Sequence, residues 1–142
     1  MKFTNTITID RRTADVFAYL ADLENLPQWN YALGETELTS AGPVGVGSRY
    51  RQTRTIPTRS EESLEVTAFE PDSRLSIRGD LGPFHSEVDY LLAPAGGGTL
   101  LTNTMRLQPS GAVRVIAPLA AIKVKSAVAA NLEALKQLLE RR

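Results

Sequence analysis

The sequence holds no cysteine and a single histidine among its 142 residues. Without cysteine there is no disulfide framework, no thiolate nucleophile and no cysteine-bound metal. One imidazole, His85, is too few for a zinc site, so neither a metal nor a cofactor is expected. Charge of one sign is also missing: 16 basic residues meet 16 acidic ones, and the formal net charge is zero. A nucleic-acid or anionic-membrane partner favours a strongly basic face, which this balance does not supply. Long apolar runs are absent too. The most apolar stretch, 112–122, is interrupted by Arg114 and Pro118 and is too short to cross a bilayer. The N-terminal MKFTNT lacks the apolar core of a secretory signal. A cytoplasmic protein without a membrane span is the expectation.

What is present is patterning. The length suits one domain over 1–142, with about two-thirds of the unfolded surface buried. KFTNTITI (2–9) alternates, with Phe3, Asn5, Ile7 and Ile9 on one side, and reads as a strand. From Thr13 the period changes. Val16, Phe17, Leu20 and Leu23 lie at helical spacing, with Asp10 or Thr13 as N-cap. Pro27 breaks this helix, and a short second turn carries Trp29, the one tryptophan. Residues 32–40 form a weaker strand, followed by strands over 48–56, 61–70, 73–79, 84–93 and 99–107. Turn chemistry joins them, as at Pro71-Asp72 and Gly96-Gly97-Gly98, and short joins imply antiparallel neighbours. In the last thirty or so residues, Val124, Val128, Leu132, Leu135 and Leu139 share one helical face. Pro118 must kink that helix or open it. A curled sheet crossed by one helix need not be filled everywhere, so a hollow is plausible.

Nothing in the sequence resembles a nucleophile elbow or a nucleotide loop. GVGSRY (45–50) leads into a strand, and the three glycines at 96–98 sit at a hairpin. Alternation leaves His85 outside, beside Asp89 but without catalytic company. The cations of 49–59 are followed by Glu61, Glu62 and Glu65, which suggests cross-strand ion pairs.

VFAYLADLENLPQWN (16–30), GVGSRYR (45–51), AFEPDSRLSIR (68–78), GGGTLLT (96–102) and NLEALKQLLE (131–140) together, in this order, resemble the START/Bet v 1-like (SRPBCC) superfamily. The nearest branch is the polyketide cyclase/dehydrase-like group. This resemblance implies an α+β helix-grip fold: a curved seven-stranded antiparallel sheet wrapped around a long C-terminal helix, with two short helices after the first strand. It also implies a hydrophobic cavity between sheet and helix, and no shared catalytic set. Trp29 matches the family's tryptophan after the first helix, a position that packs near one end of the cavity.

Alternation then nominates the lining. Tyr50, Gln52, Arg54, Ile56, Leu64, Val66, Ala68, Leu75, Ile77, Phe84, Ser86, Val88, Tyr90, Leu92, Leu101, Asn103, Met105 and Leu107 point inward, with Leu119, Ile122 and Val128 of the helix as part of the roof. A one-residue slip would invert any of these strands. The informative residues are polar ones on apolar faces: Asn5, Gln52, Arg54, Tyr90 and Asn103. Either they face a ligand, or Arg54 snorkels to solvent while Asn5 and Asn103 bond to backbone or to each other. The only inward carboxylate is Glu62, near a strand start. With no convincing base, binding of a small hydrophobic or aromatic molecule, as a carrier or sensor, ranks above a proton-transferring cyclase/dehydratase. The resemblance leaves a third class open, a co-chaperone-like or quinone-chaperone-like interaction module.

Overall fold

The computed structural model describes residues 1–81, 84–109 and 117–142, apart from the side chains of 109 and 117–121. The chain runs as β1 (Lys2–Ile9), α1 (Thr13–Ala21), a 3-10 turn (Leu23–Asn25), α2 (Leu26–Trp29), β2 (Leu33–Leu38), β3 (Arg49–Arg54), β4 (Ser60–Glu70), β5 (Arg74–Leu81), β6 (Phe84–Ala95), β7 (Gly98–Pro109) and α3 (Ala117–Glu140). β1 keeps the alternation of its sequence, odd positions turned in and even ones exposed. Neither expected N-cap serves α1: Arg12 occupies the cap position and makes no side-chain bond there. Asp10 is instead drawn to the other end of the chain, its N–H donating to Glu140 Oε2 at 2.8 Å. Pro27 lies in the first turn of α2, where a missing N–H removes no helical bond. Pro118 holds the same place in α3 and so opens that helix rather than kinking it.

The strands form one seven-stranded sheet in the order β1-β7-β6-β5-β4-β3-β2. Every neighbouring pair is antiparallel. From β2 onward each strand follows its predecessor by a hairpin, as the short joins require. β1 and β2 are the two edges, so the α1–α2 segment carries the chain from one edge to the other. The β6–β7 turn places Gly96 (φ 56) and Gly97 (φ 87) in the left-handed region, the conformation a two-residue hairpin of the right twist needs.

One register shift alters a sequence expectation. β4 pairs Val66 with Ile77 but Ala68 with Ser76, so a bulge intervenes. Ala68 therefore shares a rung with outward Ser76 rather than facing in. Phe69 takes the inner place opposite Leu75 and meets the Phe17 ring edge-on, centroids 5.3 Å apart.

The main core joins Leu132, Leu135 and Leu139 of α3 to Val16, Phe17 and Leu20 of α1 and to Leu75, Leu92 and Leu101 of the sheet. Each such buried leucine is worth about 1.5–3 kcal/mol of transfer free energy. A smaller cluster, Phe84, Met105 and Leu107, gathers Phe3, Leu81 and Val124 around it. Val88 and Val128 touch both clusters.

α3 is held firmly at its C-terminal half. Lys136 Nζ donates to Thr8 O at 2.8 Å, and Arg11 donates to the carbonyls of Glu140 and Arg142 at 2.5 and 2.9 Å. Those carbonyls have no partner within the helix, and a cation at this end also suits the helix dipole. Toward the N-terminal half, the side-chain tie among the described residues is a long one, Asn5 Nδ2 to Lys125 O at 3.5 Å. Ile56, expected to face in, lies beyond the end of β3 and is exposed. Ile122 does not roof the sheet: it is 65% exposed. It lies off the stripe of Val124, Val128 and Leu132, and phase rather than hydrophobicity decides which residues a helix buries. Leu119 lies outside the described side chains.

Candidate functional site

The inner face of β2, β3 and β4 carries a buried polar cluster. Register sets Thr36, Gln52 and Glu62 side by side across three strands, with Arg54 on the diagonal to Glu62. Gln52 Nε2 donates to Glu62 Oε1 at 2.7 Å, and Thr36 Oγ1 lies 3.5 Å from Gln52 Oε1. Arg54 grips the same carboxylate twice, through Nε at 2.7 Å and Nη2 at 3.1 Å. Arg54 is 8% exposed and Glu62 3%, so the guanidinium does not snorkel to solvent as its position near a strand end suggested. It stays inside because a two-pronged carboxylate partner waits on the next strand. Of the other cations in this region, Arg49 reaches Glu65 at 4.0 Å and Arg51 turns to Glu37 at 3.3 Å. These are outer-face pairs on exposed side chains and contribute little.

A second polar set lies deeper and is not paired off. One rung runs Asn5–Asn103–Tyr90 across β1, β7 and β6. Asn103 is fully buried, yet among the described residues neither its Nδ2 nor its Oδ1 has a hydrogen-bond partner. The bond to Asn5 or to backbone that sequence reasoning allowed is not made by Asn103. The Tyr50 hydroxyl and Asn131 Oδ1 are likewise buried and unpartnered. Burial raises the pKa of Tyr90 well above the ordinary phenol value. Burial does the same for Tyr50, reinforced by the charges of Asp22 and Glu24. Both therefore remain neutral phenols that can donate. Asn131 escaped sequence reasoning, although a polar residue three positions after Val128 and beside Leu132, on the apolar side of α3, was a readable signal.

Around this set the apolar candidates divide. Val66, Ile77 and Leu101 are buried in the main core together with Trp29, which is 5% exposed. Phe84 and Met105 belong to the smaller cluster. Val88 and Val128 differ, being only partly buried. Val88 lies mid-strand, with β5 and β7 on either side and its side chain toward α3. Its residual accessibility is therefore on the side toward α3, two residues along β6 from Tyr90, which pairs with Asn103.

His85 points away from all of this. Its side chain is 73% exposed and lies 3.7 Å from Asp80, not beside Asp89. Asp89 bonds Ser76, Arg74 and Arg106 on the outer face. A depression of about 870 Å³ lies on that face, walled by Arg49, Arg51, Glu65, Arg78, His85 and Arg106 among others. Most of its wall residues are charged or polar side chains of the outer face, and the depression is open, unlike the enclosed apolar lining of a small-molecule site. The inner face is the better candidate. Among the described residues no group of three or more potential metal ligands occurs, and no helix is long and apolar enough to cross a membrane.

A curved antiparallel sheet gripping a C-terminal helix, with a helix pair bridging its edges, is the START/Bet v 1-like architecture. The chain belongs to the family described as polyketide cyclase / dehydrase and lipid transport, whose model matches residues 1–140. Similar solved structures include TTHA0849 from Thermus thermophilus, with TM-score 0.80, 18% identity and coverage of 99% of this chain and 98% of that one. A START superfamily protein from Mycobacterium smegmatis gives TM-score 0.80 at 17% identity, covering 99% and 97% of the two chains. The di-domain ARO/CYC StfQ of the steffimycin biosynthetic pathway gives 0.82 at 12% identity, over 99% of this chain and 51% of that one. At such identities the likeness is one of fold. No curated protein sequence matches the chain.

Proposed function

We propose that residues 1–142 form one domain that binds a small hydrophobic or aromatic molecule between the sheet and α3, as a carrier or sensor. The observation that carries this reading is the pair of buried amides, Asn103 and Asn131, with polar atoms that find no partner among the described residues, close to the partly buried Val88 and Val128. Buried polar atoms are almost always hydrogen-bonded in native proteins, so these orphans point to an absent partner. The proposed lining is Tyr50, Gln52, Arg54, Val66, Ile77, Phe84, Val88, Tyr90, Leu101, Asn103, Met105 and Val128, with Trp29 closing the helix-pair end and Asn131 added from α3. Family membership and the ARO/CYC likeness agree with a ligand-holding interior.

A cyclase/dehydratase on the same interior is the second reading, favoured by the buried Arg54–Glu62 pair, a device that simple carriage does not require. Both Glu62 oxygens are already engaged by Arg54 and Gln52, which ranks this reading second. Native mass spectrometry of freshly purified protein, with organic extraction of anything released, tests the first reading. A stoichiometric small-molecule adduct is expected. With the released molecule in hand, Tyr90→Phe separates the two: it shifts affinity in a binder and abolishes turnover in an enzyme.

A further inference from the structure

We infer that the molecule held between the sheet and α3 is uncharged and bears hydroxyl groups, and that Asn103 and Asn131 select it. This rests on the ligand-binding reading above and adds the ligand's chemistry. Asn103 offers one unpaired donor and one unpaired acceptor on a single fully buried amide. Its complement must both donate and accept within a small volume. A hydroxyl does this; a hydrocarbon does neither, and a carboxylate only accepts. Asn131 Oδ1, also buried and unpartnered, needs a donor and so repeats the requirement from the helix side. Occupation by such a ligand would relieve the desolvation penalty that each orphan atom now carries.

The charge argument is separate. Among the described residues, Arg54 supplies the one guanidinium on the inner face, and both its prongs are committed to Glu62. An anion would have to displace a buried carboxylate from its partner while lying near it, a double penalty in a low-dielectric interior. Placement fits as well. Asn103 lies two residues along β7 from Met105, on the same face, and Met105 pairs with Val88. Asn131 follows Val128, the residue that faces Val88 across both clusters, by less than one helical turn.

The test uses three probes of one ring system at neutral pH: naphthalene, 2-naphthol and 2-naphthoate. Each is titrated into isotopically labelled protein, and affinity is read from amide NMR shifts, the Asn103 and Asn131 side-chain amides included. The naphthol should bind about fivefold or more tighter than naphthalene, the worth of one net hydrogen bond, with naphthoate weakest. In Asn103→Leu the naphthol advantage should vanish while naphthalene affinity stays. If the strand variant folds poorly, Asn131→Leu is read with naphthalene-2,6-diol, whose second hydroxyl should then lose its advantage over 2-naphthol. Equal binding of naphthalene and naphthol, or naphthoate binding tightest, overturns this inference and leaves the hollow standing. Failure of all three to shift interior resonances overturns the hollow itself and the inference with it.

Discussion

At the scale of single residues, the buried pair Arg54–Glu62 makes the sharpest energetic statement. Glu62→Gln leaves a buried guanidinium without its counter-charge and should destabilise the protein by about 3–5 kcal/mol in urea unfolding. Replacing both residues together, as Arg54→Met with Glu62→Leu, should cost clearly less than the single changes summed. Trp29→Ala should cost about 3–5 kcal/mol, because the indole is packed into the main core. A loss within about half a kcal/mol, the range of ordinary surface changes, would contradict that placement. Asp89 gives a pH signature. Partial burial pushes its pKa up, but hydrogen bonds from Ser76, Arg106 and Arg74 outweigh this and hold it below the ordinary value. Its stabilising contribution is therefore present above the unfolded aspartate pKa of about 3.9 and lost as pH falls through the lower folded value. Asp89→Asn should be less stable than wild type at neutral pH, and the gap should close in acid. These residues were unevenly legible. Arg54 and Asn103 stood out as polar positions on apolar strands, but the partner of one and the isolation of the other are tertiary facts that a linear pattern does not contain.

At the scale of elements, α3 is two segments in one helix. From Asn131 onward it presents Leu132, Leu135 and Leu139 to the core and is tied to Thr8 and the loop after β1. Ahead of that, Val124 and Val128 are only partly buried. Amide hydrogen exchange should therefore be slower over 132–139 than over 124–128. Equal protection along the whole helix would contradict a gap beneath its N-terminal half. Leu135→Ala should cost about 2–5 kcal/mol, and Val128→Ala distinctly less. The strands were readable because alternation with short turns has few alternative meanings. The β4 bulge was not, since the extra residue leaves no signature in side-chain type and flips Ala68 and Phe69 together. Ile122 misled for a related reason: an apolar residue on a helix is buried only if it lies in phase with the stripe.

At the scale of the whole molecule, the topology fits the position proposed for the hollow. β1 pairs with β7, so the first and last strands meet and α3 lies beside that seam, fastened to β1. The helix pair closes the opposite edge against β2. Between these anchors, β4 to β6 curve under a stretch of α3 that is less firmly held. The order of elements and the class of fold were legible because each segment showed its period clearly. The ligand was not, because this architecture fixes a cavity's position and leaves its chemistry to a few inward side chains.

The central claim is that the gap at Val88 and Val128 takes up a small apolar molecule. It is tested most directly by titrating an uncharged solvatochromic dye, Nile red, into wild type and into Val88→Trp, both checked for folding by circular dichroism. Wild type should show saturable one-to-one binding, and the variant, its gap filled by the indole, should lose it. Absence of saturable binding in wild type, or equal binding by a folded Val88→Trp, would contradict the account.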